Sequence, residues 1–239
     1  MPMELFFSQF TDKGGRTNNE DSVGISEWAT VVADGLGGHE DGEVASRACV
    51  EYLMGRNMPD VIDNAAMHRL IEEVNAAVWQ TKDAAAAPSN MATTVVAAFV
   101  KDGMFNYFNV GDSRLYFFRN NKILFRSKDH SVTQACVNMG MITEDQMRFH
   151  EDRNKLTKVL GTDRNLKLGQ EFQPFPLLAG DAYLLCSDGF WEYVLEKEME
   201  KALKKAHTPQ EWIALMLKKL QKRAPEKCDN QSVVCVFVD

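Results

Sequence analysis

Residues 93–127 read TTVVAAFVKDGMFNYFNVGDSRLYFFRNNKILFRS, and four apolar runs fill most of this stretch. The runs cover residues 93–100, 104–110, 115–119 and 123–127. Asp102-Gly103 and Asn120-Asn121 each separate two runs rich in β-branched and aromatic residues, and such dipeptides are typical of β-hairpin turns. A hairpin pairs its two strands antiparallel, so the middle of the chain is predicted to form antiparallel sheet.

Further strands and three amphipathic helices are predicted on either side of this stretch. Strand-like runs cover residues 5–9, 30–33, 182–186 and 233–238. Apolar residues recur at helical spacing in residues 43–54, 61–82 and 209–222, so each of these segments is predicted to be a helix with one face buried. Antiparallel sheets with helices packed on the outside define an α+β fold.

The size and composition of the chain indicate one globular domain. Its 239 residues are 45% hydrophobic and 26% charged, which is enough for one substantial core, and no linker-like segment divides them. The net charge of −7 argues against nucleic acid as the main partner, because phosphate backbones bind basic surfaces. We therefore expect a single domain over residues 1–239.

Neither secretion nor membrane anchoring is predicted. The first 15 residues lack a basic stretch followed by a long apolar run, and nowhere are 18 consecutive residues apolar. The five cysteines are odd in number and show no C-x-x-C spacing, which argues against a disulfide framework and against a zinc knuckle. A reducing cytoplasm is the expected location.

Four aspartates stand beside a glycine or an asparagine where apolar runs begin or end. They are Asp34, Asp112, Asp188 and Asp229. Any one such pair is most often a structural turn. Four of them have no common structural reason, whereas several short carboxylates that leave a sheet at a shared cleft attract a hard divalent cation. We therefore predict a metal site.

Two stretches near the amino terminus add candidate groups for binding phosphate and donating a proton. Arg16 precedes an acidic pair by four and five residues, which indicates either a salt-bridged turn or a guanidinium that binds phosphate oxygens beside a metal. Residues 34–39 read DGLGGH and fit a glycine-rich turn, a phosphate-binding loop, or a carboxylate that bridges two cations with the Gly35 carbonyl as a further ligand. His39 is either a proton donor or a surface side chain.

Six short motifs, in this order along the chain, resemble those of the metal-dependent serine/threonine protein phosphatases of type 2C. They are Arg16-x-x-Asn19-Glu20-Asp21, Asp34-Gly35-x-Gly37-Gly38-His39, Met91-Ala92-Thr93-Thr94, Gly111-Asp112-Ser113-Arg114, Ser187-Asp188-Gly189 and Asp229-Asn230. Residues 128–131 (KDHS) and 154–161 (NKLTKVLG) resemble two further segments of that family. The match spans residues 16–230 and is similar to the compact bacterial form without appended domains.

The resemblance implies an α-β-β-α sandwich, in which two stacked antiparallel sheets are flanked by helices, with Mn²⁺ or Mg²⁺ at one edge. The residues it assigns to the metals are Glu20, Asp34, Gly35, Asp112, Asp188 and Asp229, with Asp21 and Asn230 behind them. In the family's arrangement Asp34 would bridge two metals, and Asp188 and Asp229 would bind one of them. Glu20 would reach the other metal through water. Asp112 with Asp188 would bind the third, weaker metal of bacterial members.

The resemblance further implies hydrolysis of phosphoserine and phosphothreonine in proteins. In the mechanism that the resemblance implies, a hydroxide bridging the two cations would attack the phosphorus in line with the leaving oxygen, without a phosphoenzyme. Arg16 would bind the non-bridging phosphate oxygens, and His39 or a metal-bound water would protonate the leaving oxygen. The expected partners are phosphorylated proteins, including a serine/threonine kinase and its targets. The enzyme is expected to be a monomer that binds neither nucleic acid nor membrane.

Three features depart from the family pattern or bear on specificity. Leu36 stands where many eukaryotic members have a histidine directly after Asp-Gly, so the family's proton donor has no counterpart there. Ala92 replaces a glycine of the family motif, a small change that is not expected to alter the chemistry. Residues 139–153 are placed like the mobile flap of bacterial members and are expected to set substrate preference.

Two alternatives to a protein phosphatase remain open on the sequence. One is a metallohydrolase of small phosphate esters, because the same metal centre would act on either kind of substrate. The other is a non-catalytic binding member of the same fold. Every acid expected to bind metal is present, which argues against the second alternative.

Overall fold

Two antiparallel β-sheets stack face to face in this protein, and helices cover the outer face of each sheet. The computed structural model describes residues 3–37, 41–57, 59–85 and 90–239. Within these residues the layers follow the order helix, sheet, sheet, helix. The predicted α-β-β-α sandwich is confirmed.

The first sheet contains five strands in the order β1-β11-β10-β7-β8, all paired antiparallel. Their bounds are β1 Leu5–Asp12, β7 Arg114–Arg119, β8 Lys122–Arg126, β10 Ala182–Cys186 and β11 Gln231–Val238. The predicted turn at Asn120-Asn121 joins β7 to β8, and both residues adopt positive φ angles, 54° and 59°. Asparagine tolerates this left-handed conformation better than most residues, which is why the hairpin forms here.

The second sheet has the strand order β2-β3-β5-β6-β9, and β4 pairs with β3 beside this path. The strands are β2 Asp21–Ile25, β3 Ala29–Leu36, β4 Ala92–Thr93, β5 Val95–Lys101, β6 Met104–Val110 and β9 Phe175–Pro176. The predicted turn at Asp102-Gly103 joins β5 to β6, with φ angles of 50° and 72°. Antiparallel pairing in the middle of the chain is thereby confirmed.

Seven helices are described. They are α1 Asp41–Met54, α2 Asn64–Ala84, α3 Val132–Asn138, α4 Glu144–Met147, α5 Asp188–Trp191, α6 Glu196–Leu203 and α7 Pro209–Arg223. Helices α1 and α2 share an apolar cluster with the second sheet, and α5, α6 and α7 share one with the first sheet. None of the described helices combines the length and apolar character that a bilayer span requires.

A layer of aromatic rings fills the space between the two sheets. The ring centroid of Phe105, from the second sheet, lies 5.1 Å from that of Phe117 and 4.9 Å from that of Tyr183, both from the first sheet. Phe125 stacks on Phe117 at 5.3 Å. Side chains of a strand alternate between its two faces, so Phe117 points into this layer while its neighbour Phe118 belongs to the cluster under the helices.

Several predicted element boundaries differ from the observed ones by a few residues, and two of them have a clear local reason. The helix predicted to start at residue 61 starts at Asn64, because the Asp63 carboxylate accepts a hydrogen bond from the Ala66 amide at 2.8 Å and caps the helix there. The strand predicted over residues 93–100 is interrupted at Thr94, whose amide donates to the Asp34 carbonyl at 2.8 Å. Strands β2 and β9 and helices α3 to α6 were not predicted.

Truncation of the inter-sheet layer should destabilise the protein strongly. Phe117 is fully buried, so Phe117→Ala removes a large apolar side chain and leaves a cavity, and the free energy of unfolding should fall by about 3–5 kcal/mol. Phe149→Ala is the matched control, because Phe149 is 83% exposed and its loss should change this free energy by less than about 0.5 kcal/mol. Chemical denaturation measures both, and equal losses would contradict the described packing.

Candidate metal centre

The acids predicted to bind metal meet at one edge of the sandwich, in a polar cavity of ≈ 330 Å³. Eight of the ten predicted site residues line it: Arg16, Glu20, Asp34, Gly35, Asp112, Asp188, Asp229 and Asn230. Asp21, the ninth, is buried beside the cavity and accepts a hydrogen bond from the Ser187 hydroxyl at 2.7 Å. His39, the tenth, lies outside the described residues.

Asp34 and Asp112 are connected through Thr94, the residue that interrupts the predicted strand. The Asp34 amide donates to Thr94 Oγ1 at 3.1 Å, and Thr94 Oγ1 lies 2.7 Å from Ser113 Oγ, next to Asp112. Gly111, before Asp112, has a φ of +98°, and a Cβ there would come within 2.7 Å of the Thr94 Cβ. Thr94 and Gly111 together bring the ends of β3 and β6 to one place.

Two turns of the first sheet bring Asp188 and Asp229 to the same edge. The Ser187 amide donates to the Ser232 carbonyl at 3.1 Å, and the Ser232 amide donates to Ser187 Oγ at 3.0 Å. A Cβ on Gly189 would lie 2.1 Å from the carbonyl oxygen of the residue that follows Asp229. Only glycine allows this approach, so the turns that carry the two acids pack directly against each other.

The Asn230 side chain holds the loop that carries Arg16 in place through three hydrogen bonds. Its Oδ1 accepts a hydrogen bond from the Glu20 amide at 2.8 Å. Its Nδ2 donates to the carbonyl oxygens of Lys13 and Asn18, each at 2.9 Å. One side chain therefore holds three points of the loop over the cavity, which gives Asn230 a supporting place behind the acids.

The backbone of Gly35 approaches the first turn of α1 with no side chain between them. The Gly35 amide donates to the Glu20 carbonyl at 3.1 Å. A Cβ on Gly35 would lie 2.0 Å from the Gly42 carbonyl oxygen, and a Cβ on Gly42 would lie 2.4 Å from Glu20 Oε2. The two glycines thus place Glu20, the Gly35 backbone and the start of α1 side by side.

Burial and mutual repulsion strongly disfavour the ionised state of these acids. Burial, and then the charges of Asp21 and Asp188, raise the pKa of Asp34 well above its ordinary value. Burial and the charges of Asp112 and Asp229 do the same to the pKa of Asp188. Burial raises the pKa of Asp21 and that of Asp112 to about 7 each. Most of the cluster would bind protons near neutrality unless a cation replaced them.

Two carboxylate oxygens in this region are buried without a hydrogen-bond partner among the described residues, Asp188 Oδ1 and Asp21 Oδ1. An unpaired buried carboxylate oxygen is costly, and oxygen donors are the ligands that Mn²⁺ and Mg²⁺ prefer. The exposed Arg16 supplies one positive charge, since its Nη2 lies 2.6 Å from Asp229 Oδ2. The donor set and its excess of negative charge therefore fit divalent cations.

The described acidic, histidine and cysteine side chains contain no group of three that forms a ready-made metal site by itself. The carboxylates are therefore only part of the ligand set that a metal would need. Backbone carbonyls such as that of Gly35 and water molecules would complete the coordination, as is usual for hard cations. Asp229 would also have to exchange its ion pair with Arg16 for the cation.

Six further residues line the cavity without having been predicted as site residues: Thr17, Asn18, Leu36, Gly37, Asn154 and Leu156. Asn154 and Leu156 belong to the segment 154–161, which resembles a segment of the phosphatase family. The resemblance therefore pointed to these two residues, but it assigned no role to either. Thr17 and Asn18 carry no separate signal, because they line the cavity as neighbours of Arg16 in the loop held by Asn230.

Comparison with known proteins agrees with this geometry. A sequence model described as Protein phosphatase 2C matches residues 15–229. The chain therefore belongs to the protein phosphatase 2C family. It is 32% identical to the serine/threonine phosphatase stp of Listeria monocytogenes serotype 4b, with 96% of this chain and 94% of the relative covered. It is 31% identical to PstP of Mycobacterium tuberculosis, a longer protein of which 39% is covered.

Solved structures show the same fold. The crystal structure of Stp1 from Staphylococcus aureus is 30% identical, with a TM-score of 0.84 and with 99% of this chain and 96% of that chain covered. The catalytic domain of PstP in complex with two manganese ions is 27% identical, with a TM-score of 0.81 and with 99% of each chain covered. The family assignment and the sandwich architecture thus agree.

Divalent cations should stabilise the protein more at pH 8 than at pH 5. Asp21 and Asp112, with folded-state pKa values of about 7, keep protons that the unfolded chain loses near pH 4. Their contribution to stability is thus complete below pH 4 and is lost as the pH rises towards 7. Bound Mn²⁺ offsets that loss, because a free Mn²⁺ concentration one hundred times its Kd raises the free energy of unfolding by about 2.7 kcal/mol.

Thermal unfolding with and without manganese measures this effect. The shift in Tm should be roughly 5–10 °C at pH 8, because about 1 kcal/mol moves the Tm of a domain of this size by roughly 2–4 °C. The shift should be clearly smaller at pH 5, where protons compete with the metal for the acids. Equal shifts at both pH values would contradict a metal site built from these acids.

Proposed function

We infer that this protein is a metal-dependent phosphatase that hydrolyses phosphoserine and phosphothreonine in proteins. The observation that carries this conclusion is the cavity in which Asp34, Asp112, Asp188 and Asp229 meet beside Arg16, in a chain of the protein phosphatase 2C family. The relatives bearing the names serine/threonine phosphatase stp and PstP support the same substrate class. Mn²⁺ or Mg²⁺ is the cofactor, as the manganese complex of PstP supports.

We propose that the carboxylates divide the cations between them. Asp34 would be shared by two metals, with the Gly35 carbonyl as a further ligand. Asp188 and Asp229 would bind one of the two, and Glu20 would reach the other through water. Asp112 and Asp188 would bind a third, weaker metal. When bound, the cations supply Lewis acidity that lowers the pKa of water and offsets the phosphate charge.

Arg16 is proposed to bind the phosphate group. It stands at the open side of the cavity with 59% of its side chain exposed, and its fork fits two phosphate oxygens at once. Its partner Asp229 faces the proposed metals as well. Once a cation occupies Asp229, the guanidinium is free to turn to a phosphate, so metal loading and substrate binding should favour each other.

The remaining assignments are proposals of the same kind. Asp21 and Asn230 support the ligands from behind, and His39 stays a candidate proton donor predicted from the sequence alone. Residues 1–239 are proposed to form one catalytic domain that acts as a cytoplasmic monomer. Its substrates are proposed to include a serine/threonine kinase and the targets of that kinase.

The direct test compares a phosphoserine peptide with p-nitrophenyl phosphate, each with manganese and with a chelator. We expect manganese-dependent hydrolysis of both substrates, abolished by chelation and restored by added Mn²⁺. Turnover of p-nitrophenyl phosphate without any peptide turnover would favour the small-ester hydrolase instead. No turnover of either substrate would favour a binding protein, and full activity after metal removal would refute the metal mechanism.

Two amide variants belong to the same test. Asp34→Asn should reduce activity more than about 100-fold, because it removes charge from the ligand proposed to bind two metals. Loss of a residue that only hydrogen-bonds to a metal ligand costs up to roughly 100-fold, and Asp34 is proposed to bind the metals itself. Asp102→Asn is the matched control. It makes the same chemical change in the β5-β6 turn, where asparagine accepts the positive φ of 50°, so it should keep wild-type activity.

Substitution of Arg16 should separate phosphate binding from metal binding. Arg16→Ala should raise KM for the phosphopeptide at least tenfold, because a charged, bidentate contact to phosphate is lost, while manganese affinity is kept or improved. Arg16→Lys should recover part of the KM, since it keeps the charge and loses the fork.

Arg164→Ala is the control for this series, because Arg164 has a similar exposure of 57% and a similar 2.7 Å ion pair, with Asp83. Steady-state kinetics at saturating manganese gives KM, and calorimetry gives metal affinity. If Arg16→Ala leaves KM unchanged, Arg16 is only the salt-bridge partner of Asp229.

A further inference from the structure

Residues 139–153, the flap, contact the rest of the protein through few side chains. Met139, Met141 and Phe149 are 66%, 68% and 83% exposed. Met147 and Arg148, by contrast, are 1% and 7% exposed and lie at the end of α4. An arginine is rarely buried to this extent unless it is paired, so Arg148 marks one point where the flap is fixed. The exposed Glu144 gives another attachment, an ion pair with Arg126 at 3.3 Å.

Arg148 meets two groups of the body beneath the flap. Its Nη2 donates to Glu196 Oε1 at 2.5 Å, and the Tyr116 hydroxyl donates to the same oxygen at 3.1 Å. Its guanidinium carbon lies 5.4 Å from the centroid of the Trp191 ring, within the range of a cation–π contact. The flap is therefore attached to the indole that ends α5.

Trp191 carries this attachment into the proposed metal site. Its Nε1 donates to the Asp112 carbonyl oxygen at 2.9 Å. The guanidinium carbon of Arg114 lies 3.4 Å from the ring centroid, and Arg114 is fixed in turn by two hydrogen bonds to Asp129, at 2.9 and 2.6 Å. Trp191 thus contacts Arg148, Arg114 and the Asp112 backbone at once, so a shift of the ring must move the turn that carries Asp112.

A second arginine contact of the flap reaches Glu192, the residue that follows α5. Arg153 Nε donates to Glu192 Oε1 at 3.0 Å, and the Glu192 amide donates to the Asp188 carbonyl at 2.9 Å. Both arginine contacts of the flap therefore reach the short helix that starts with Asp188 and contacts Asp112, or the residue directly after it. These are the two acids proposed to share the weaker metal.

We propose that Arg148 is a positioning residue for that metal: it clamps Trp191, and Trp191 holds the Asp112 turn where its carboxylate can bind. This inference rests on the proposed function, since it takes the assignment of Asp112 and Asp188 from it. Docking of the flap and affinity of the weaker site are then linked. A flap detached from Glu196 loosens Trp191 and weakens this one site, while the metals at Asp34 keep their ligands.

Calorimetric titration of the whole protein with Mn²⁺ tests the link. We expect two tight binding events and one weak one in the wild type. Arg148→Met should raise the Kd of the weak event about tenfold, the lower end for residues that orient metal ligands, and leave the tight events unchanged. Arg148→Lys should recover most of this loss, because an ammonium still pairs with Glu196 and contacts the ring.

Arg164→Met is the matched control. Arg164 also pairs with an acid, Asp83, and also lies over an indole, with its guanidinium carbon 4.2 Å from the Trp79 centroid, yet it does not line the cavity. Its loss should leave all manganese events as in the wild type. Equal weakening by Arg164→Met and Arg148→Met would overturn the proposal, as would an unchanged weak event in Arg148→Met or a wild type with no weak event.

Glu196→Gln gives an independent variant should Arg148→Met fold poorly. It should raise the Kd of the same weak manganese event. The double variant Arg148→Met/Glu196→Gln should bind this manganese no less tightly than Arg148→Met alone, because both changes break the same contact. Additive losses would contradict a shared contact.

Kinetics with p-nitrophenyl phosphate adds a readout that general destabilisation would not produce. The kcat of Arg148→Met should fall at limiting manganese and return to within twofold of wild type at saturating manganese. A loss of kcat that excess metal does not restore would overturn the proposal. An inactive wild type with three normal binding events would refute the proposed function and leave the positioning role of Arg148 testable by calorimetry.

Discussion

Repulsion among buried carboxylates is the constraint on which the rest of this structure depends. Burial and neighbouring negative charge raise the pKa values of Asp34, Asp112 and Asp188. The fourth acid, Asp229, forms an ion pair with Arg16. So much negative charge in one cavity is tolerated at neutral pH only if protons or cations offset it. Stability, metal affinity and hydrolysis are therefore linked, because the same acids determine all three.

The stacked sheets make this gathering of charge possible. Asp34 lies near the end of β3 and Asp112 follows β6 in one sheet, whereas Asp188 follows β10 and Asp229 precedes β11 in the other. Backbone contacts that only glycine permits, as at Gly189, bring these strand ends within reach of one another. The acids are thus held by the rigid part of the fold. The flap is held by a few side chains, which makes its attachment the adjustable part of the site.

Much of the fold and of the site could be predicted from the sequence, because their signals are local. The hairpin turns and the acids beside apolar runs are visible in short windows. Strand β2 was missed because Asp21–Ile25 contains only two apolar residues, and its place depends on pairing with β3. The contacts of Asn230 with residues more than 200 positions away, and the stacking of Arg148 on Trp191, exist only after folding and leave no local pattern.

Diffraction at the manganese absorption edge, from crystals of the protein grown with Mn²⁺, shows directly whether these acids bind metal. Anomalous peaks report the metal positions without any assumption about activity. We expect two strong peaks within bonding distance of Asp34, one of them also within bonding distance of Asp188 and Asp229, and the Arg16 guanidinium turned away from Asp229. Manganese found only elsewhere on the surface, with the Arg16–Asp229 pair intact and the acids free of metal, would contradict it.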